Sequence, residues 1–197
     1  MKPRSRSLAA AALFLAAVPA VLAHPGHGPE TGFGAGLAHP FSGWDHVLAM
    51  AAVGYWAAQL RAPRLLPSAF LAALVAGALA GHWTGPIAGL EQGIAASVLV
   101  AGLLIAWRVR MPASLGAALV GSFALFHGAA HGAEMPASAG ALAYGLGFIA
   151  ASAGLLGAGV AAGSLASRTA ERASRAPGWA VAAAGLVLLA ASVAPAP

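Results

Sequence analysis

Residues 139–175 read AGALAYGLGFIAASAGLLGAGVAAGSLASRTAERASR. From Ala139 to Ala166 there is no Asp, Glu, Lys, Arg or His. Arg168, Arg172 and Arg175 then follow, with Glu171 their only acidic companion. About 20 mostly apolar residues are enough to cross the hydrocarbon core as a helix. A basic cluster at the end of such a run marks the cytoplasmic side. Leu, Ala and Val dominate without strand-like alternation, and lipid offers no partner for backbone polar groups, so the run reads as a helix rather than part of a β-barrel.

The rest of the chain repeats this pattern. Of its 197 residues, 60% are hydrophobic and 8% charged, and mean hydropathy is +0.82. Soluble domains carry about 25% charged residues. Six spans are predicted: 40–60, 65–81, 86–107, 112–132, 139–166 and 178–194. The loops holding Arg61 and Arg64, then Arg108 and Arg110, then Arg168, Arg172 and Arg175 alternate with loops around 82–85 and 134–138 that lack Lys and Arg. This alternation predicts six transmembrane helices with both termini outside. The net charge of +5 resides in short clusters between apolar runs, which argues against nucleic acid as a partner. With no cysteine, neither a disulfide framework nor a thiolate site is available.

The first residues read as a cleavable signal peptide, 1–23. Lys2, Arg4 and Arg6 precede an apolar stretch from Leu8 to Val18 and the small-residue site Val21-Leu22-Ala23. Cleavage would leave His24 as an N-terminus outside the cytoplasm. The expected organisation is then a His-containing N-terminus (24–35), an all-α membrane domain (36–194) and a Pro/Ala tail (195–197). Gly128/Gly132 and Gly159/Gly163 have the four-residue spacing that lets membrane helices approach closely.

On this topology the seven histidines and four of the five acidic residues lie towards the outside, and all ten Lys/Arg lie inside. Two runs are dense. His39-Pro40-Phe41-Ser42-Gly43-Trp44-Asp45-His46 opens the first span. With Pro40 in the first helical turn, His46 is expected two turns below His39, roughly 10 Å deeper on nearly the same face. An unpaired Asp45 costs about 2.5–3.5 kcal/mol at a helix centre. A cation would offset that; so would pairing with a histidine or capping a neighbouring backbone group. Phe126-His127-Gly128-Ala129-Ala130-His131-Gly132-Ala133-Glu134 closes the fourth span. His127, His131 and Glu134 fall on one helix face. Imidazoles at i and i+4 can chelate one ion, and the helix C-terminus favours a cation. The plainer reading is a pair of interfacial histidines.

Glu91 is expected about five residues inside the third span, followed by Gln92. Glu91 could ligate a metal, orient a histidine or accept protons along a transport path, the last being slightly favoured. His24 joins α-amine and imidazole in one chelate, and His27 follows, so both could capture metal at the entrance. His82, beside Trp83, reads as mostly interfacial.

H-x5-D-H at His39–His46, F-H-G-x-x-H-G-x-E at Phe126–Glu134 and the segment Glu91-Gln92-Gly93-Ile94-Ala95-Ala96-Ser97 together resemble the HupE/UreJ nickel and cobalt permeases. The resemblance spans essentially the whole mature chain. It implies a six-helix protein of the bacterial inner membrane that imports Ni²⁺ or Co²⁺, often to supply hydrogenase or urease. It carries metal-related roles onto His39, Asp45, His46, His127, His131 and Glu134. Nitrogen and oxygen ligands without sulfur suit Ni²⁺, Co²⁺ or Zn²⁺ over Cu(I). The metal is expected as transiently bound cargo, with no prosthetic group, and a homo-oligomer is left open. Imidazole binds metal only when neutral, so uptake should fall below about pH 6.5. The alternative is an intramembrane zinc hydrolase with Glu91 or Glu134 as base. Short outer loops and the lack of HExxH count against it.

Overall fold

The apolar runs fold as helices, and no strand occurs among the described residues. The computed structural model describes residues 32–85, 87–134, 140–168 and 170–194. The expected signal peptide, His24, His27 and the 195–197 tail lie outside the described residues. Helix α1 spans Phe33–Ala38. A 3-10 turn, His39–Phe41, leads to α2, Trp44–Gln59. The others are α3 (Leu65–Thr84), α4 (Leu90–Ala106), α5 (Ala113–Glu134), α6 (Ala141–Ala166) and α7 (Glu171–Val193). Helices α3, α5, α6 and α7 are each long and apolar enough to cross a membrane. Helix α4 is apolar but shorter, and α2 has 16 residues with Asp45 in its first turn.

Several boundaries differ from those predicted. The first span does not run unbroken from Pro40. Pro40 lies in the 3-10 turn, and Gly43 is extended (φ −121°, ψ 126°), so α2 starts afresh at Trp44. His39 and His46 therefore sit on different elements rather than two turns apart on one face. Helix α3 is longer than expected and ends at Gly85, whose φ of 73° only glycine adopts readily. Helix α4 starts at Leu90, after Gly89 at φ 81°, so Glu91 lies in the first turn rather than inside the span. Helix α7 begins before Pro177, and Glu171, Arg172 and Arg175, expected in a loop, form its first turns.

Three helix pairs make up the bundle: α3 with α5, α4 with α7, and α2 with α6, against which α1 also lies. Each seam is built on glycine. A Cβ at Gly128 or Gly132 would strike the backbone of Leu74 or Ala78 on α3, and one at Gly159 or Gly163 the backbone of Ala51 or Tyr55 on α2. Gly102 and Gly178 do the same between α4 and α7, and Gly36 and Gly147 between α1 and α6. Backbones in such contact gain dispersion and weak Cα–H···O bonds, the main sources of helix association where lipid removes the hydrophobic drive.

Helix α2 is the most enclosed. Every residue from Ala52 to Ala57 is buried, as are Val47, Ala49 and Met50. A helix that is apolar all round belongs at the centre. Around it pack Leu66, Phe70 and Leu74 of α3, Ile105 of α4, Val120 of α5 and Leu156 of α6. Helix α7, by contrast, is mostly exposed. Trp44 and Trp83 are exposed at the histidine-bearing end, Trp107 and Trp179 at the arginine-bearing end. Tryptophans favour the two interfaces of a bilayer in this way.

Candidate metal centre

The break at Ser42–Gly43 sets the site. Starting α2 at Trp44 puts Asp45 in the first turn, where the positive end of the helix dipole favours a carboxylate. Asp45 Oδ1 accepts from the backbone N–H of His46 at 2.9 Å and lies 2.7 Å from His46 Nδ1. A carboxylate can only accept, so the His46 Nδ1 carries the proton and its Nε2 keeps a lone pair. Gly43 gives this pair its room: a Cβ there would press on Asp45 Oδ1 and His46 Nδ1.

The histidines of α5 point inward onto the same place. His127 is fully buried and His131 is 5% exposed. The His46 ring centroid is 5.1 Å from that of His127 and 4.3 Å from that of His131. His39, on the 3-10 turn, reaches the cluster from above, with its Nε2 2.9 Å from His131 Nδ1. Phe148 of α6 lies against His131, ring centroids 4.3 Å apart, and Phe70 and Tyr144 complete an aromatic wall beside His127 and His39.

Three ring nitrogens in this cluster are buried and have no hydrogen-bond partner: His46 Nε2, His127 Nδ1 and His131 Nε2. Buried polar atoms are nearly always satisfied. Here three such nitrogens without a partner lie on neighbouring rings. Among the described residues no group of three or more His, Asp or Glu side chains is placed to hold a metal ion. The rings are adjacent, and closing on an ion requires them to turn towards it.

The structure thus brings together His39, Asp45, His46, His127 and His131. Glu134 closes α5, and its side chain, with His24 and His27, lies outside the described residues. Glu91 is exposed and lines an open hollow with Gln92, Ala130 and Ala133 rather than the histidine cluster. Gln92 donates from Nε2 to the Ser192 carbonyl of α7 at 2.8 Å, a tie between helices. His82 is exposed in the last turn of α3. Sequence reasoning did not assign Gly43, Phe70, Tyr144, Phe148 or Ser97 to this neighbourhood. Of these, Gly43 and Ser97 lay within the quoted motifs; the aromatic residues carry no sequence signal.

A profile of the HupE / UreJ protein family matches residues 11–188, nearly the whole chain. The chain belongs to that family. "Protein HupE" of Rhizobium leguminosarum bv. viciae is 42% identical over 158 residues, covering 79% of this chain and 83% of that protein. No solved structure is a significant match. For this HupE / UreJ protein, a multi-pass membrane protein by its four long apolar helices, the matched stretch contains every described member of the histidine cluster.

Proposed function

We propose that the chain is a permease importing divalent nickel or cobalt across the bacterial inner membrane. It has six spans, with the histidine end and both termini facing outward and the arginine end facing the cytoplasm. The observation that carries this reading is the set of three orphaned nitrogens on His46, His127 and His131. Imidazole is a good ligand for Ni²⁺ and Co²⁺, and no thiolate is present to favour softer ions. Asp45 fixes the His46 tautomer and supplies negative charge, the usual partnership at metal-bound histidine. Glu134 joins as a further ligand. His24, exposed by removal of 1–23, and His27 capture the ion at the entrance, and Glu91 and Gln92 line the approach. Family membership supports the same reading, and the imported metal would go on to hydrogenase or urease.

No observation favours the hydrolase. Glu91, one of its two candidate bases, is exposed at the start of α4 away from the histidines. The test is uptake of radiolabelled Ni²⁺ into proteoliposomes holding wild type, His46→Ala or His127→Ala. Wild type should accumulate the label and both variants should fall to the level of empty vesicles. Wild-type vesicles that take up neither Ni²⁺ nor Co²⁺ would sink the proposal. Acidification that protonates the rings should suppress uptake, because a protonated ring has no lone pair to offer.

A further inference from the structure

Ser97 is an isolated hydroxyl among the apolar residues of α4 and is only 2% exposed. Its Oγ lies 2.7 Å from the carbonyl oxygen of Ile94 and 2.9 Å from His127 Nε2. The hydroxyl has one proton, and a carbonyl can only accept. Both contacts are hydrogen bonds at once only when Ser97 donates to Ile94 and His127 Nε2–H donates to Ser97. That arrangement leaves His127 Nδ1 unprotonated. Nδ1 is the buried nitrogen with no partner, on the ring 5.1 Å from His46.

We infer that Ser97 is a positioning residue that locks His127 in the tautomer presenting Nδ1 to the metal. The inference rests on reading the histidine cluster as a metal site. Each of the three rings then has its own orienting contact: Asp45 for His46, His39 for His131 and Ser97 for His127. Ser97 differs from the other two in being neutral and in coming from α4. It therefore ties ligand geometry to a helix that supplies no histidine. Without the hydroxyl, the His127 proton has no acceptor at Nε2 and is free to move to Nδ1, which closes that ligand position. Loss of an orienting partner of this kind typically weakens metal binding about 10–100-fold.

The experiment is Ni²⁺ binding by isothermal titration to the purified full chain in detergent, for wild type, Ser97→Ala, Ser97→Thr, His127→Ala and the Ser97→Ala/His127→Ala double variant. Proteoliposome uptake on the same proteins separates KM from maximal rate. Expected are a Kd and KM raised about 10–100-fold in Ser97→Ala with maximal rate largely kept, recovery in Ser97→Thr, and a double variant no weaker than His127→Ala alone. Ser97→Ala binding like wild type overturns the inference and leaves the metal site standing. So does a Ser97→Ala loss that persists in full without His127, which would mark a packing effect. If wild type binds no Ni²⁺, the metal-site reading fails and takes the inference with it. Should Ser97→Ala not fold, Ser97→Gly takes its place in the cycle.

Discussion

The two ends of the bundle handle buried polar groups in opposite ways. At the arginine end, side chains donate to backbone carbonyls of other helices and loops. Tyr55 Oη–H donates to the Ser174 carbonyl at 2.8 Å, Trp56 Nε1–H to that of Val109 at 3.1 Å, and Gln59 Nε2 reaches the Ile105 and Ser174 carbonyls at 3.5 Å. Glu171 pairs with Arg175 and Arg108. What is left over among the described residues is scattered: Gln59 Oε1 and Arg175 Nε. At the histidine end Gln92 makes one such tie to the Ser192 carbonyl, but the histidines bond to Asp45, Ser97 and one another, and the leftovers are three nitrogens on adjoining rings. A carbonyl fixed in a helix cannot exchange its donor for an ion without local unwinding. A ring nitrogen with a lone pair can take an ion directly. The arginine end is therefore a staple, whereas the histidine end keeps three buried ring nitrogens without a partner.

The largest effect expected from this contrast is on transport. Removing His46, His127 or His131 one at a time should abolish Ni²⁺ uptake in proteoliposomes, while Tyr55→Phe should leave KM for Ni²⁺ where it is. A Tyr55→Phe protein that has lost metal affinity would erase the distinction between the ends.

A second effect falls on the seams that hold both ends in place. Gly132 is pressed against the Ala78 carbonyl, whereas a Cβ at Gly154 would meet nothing within 4 Å. Gly132→Leu should destabilise by about 1–3 kcal/mol, as overpacking does, and should displace His131 next to it. Gly154→Ala should leave thermal unfolding in detergent unchanged. Equal melting of the two variants would contradict the glycine-seam account.

Much of this was legible before any coordinates. Charge alternation and apolar length marked six helical runs, and each of them contains a helix, the first only from Trp44 onward. The i, i+4 spacing of His127 and His131 put both on one face, and both face the cluster. The Gly128/Gly132 and Gly159/Gly163 spacings marked two real seams. What stayed hidden depends on contacts between distant segments. The break before Trp44 follows from Pro40 and Gly43 together, and a continuous helix fitted the apolar pattern as well. Helices α2 and α4 end with Arg61 and Arg108 at φ 58° and 51°, where the next residue's N–H reaches back five residues. That cap is usually announced by glycine, and arginine conceals it. The outward turn of Gln92 to Ser192, rather than inward to the histidines, depends on which helix α4 pairs with.

A third effect tests whether the Asp45–His46 geometry needs the room that Gly43 provides. Gly43→Ala should push Asp45 off His46 Nδ1 and raise KM for Ni²⁺ about 10–100-fold, the scale for loss of an orienting partner. Gly34→Ala, where a Cβ would meet nothing within 4 Å, should not change it. Unaltered uptake in Gly43→Ala would mean that Asp45 is not held to His46 for binding.

The smallest effect returns to the staple. Tyr55→Phe removes one interhelical hydrogen bond, and such bonds in membrane proteins average about 0.6 kcal/mol and reach about 1.7 kcal/mol. The bond joins α2, the central helix, to the first turn of α7, the most exposed one. Ser174 lies within α7, so its carbonyl belongs to the helix's own ladder; without Tyr55 the long contact from Gln59 is its remaining side-chain donor. Unfolding in detergent should therefore shift by no more than this range, with uptake kept. The double variant Tyr55→Phe/Gln59→Leu, which strips both side-chain donors from that carbonyl, should lose more than Tyr55→Phe alone. A double variant as stable as wild type would show that these contacts do not staple α2 to α7.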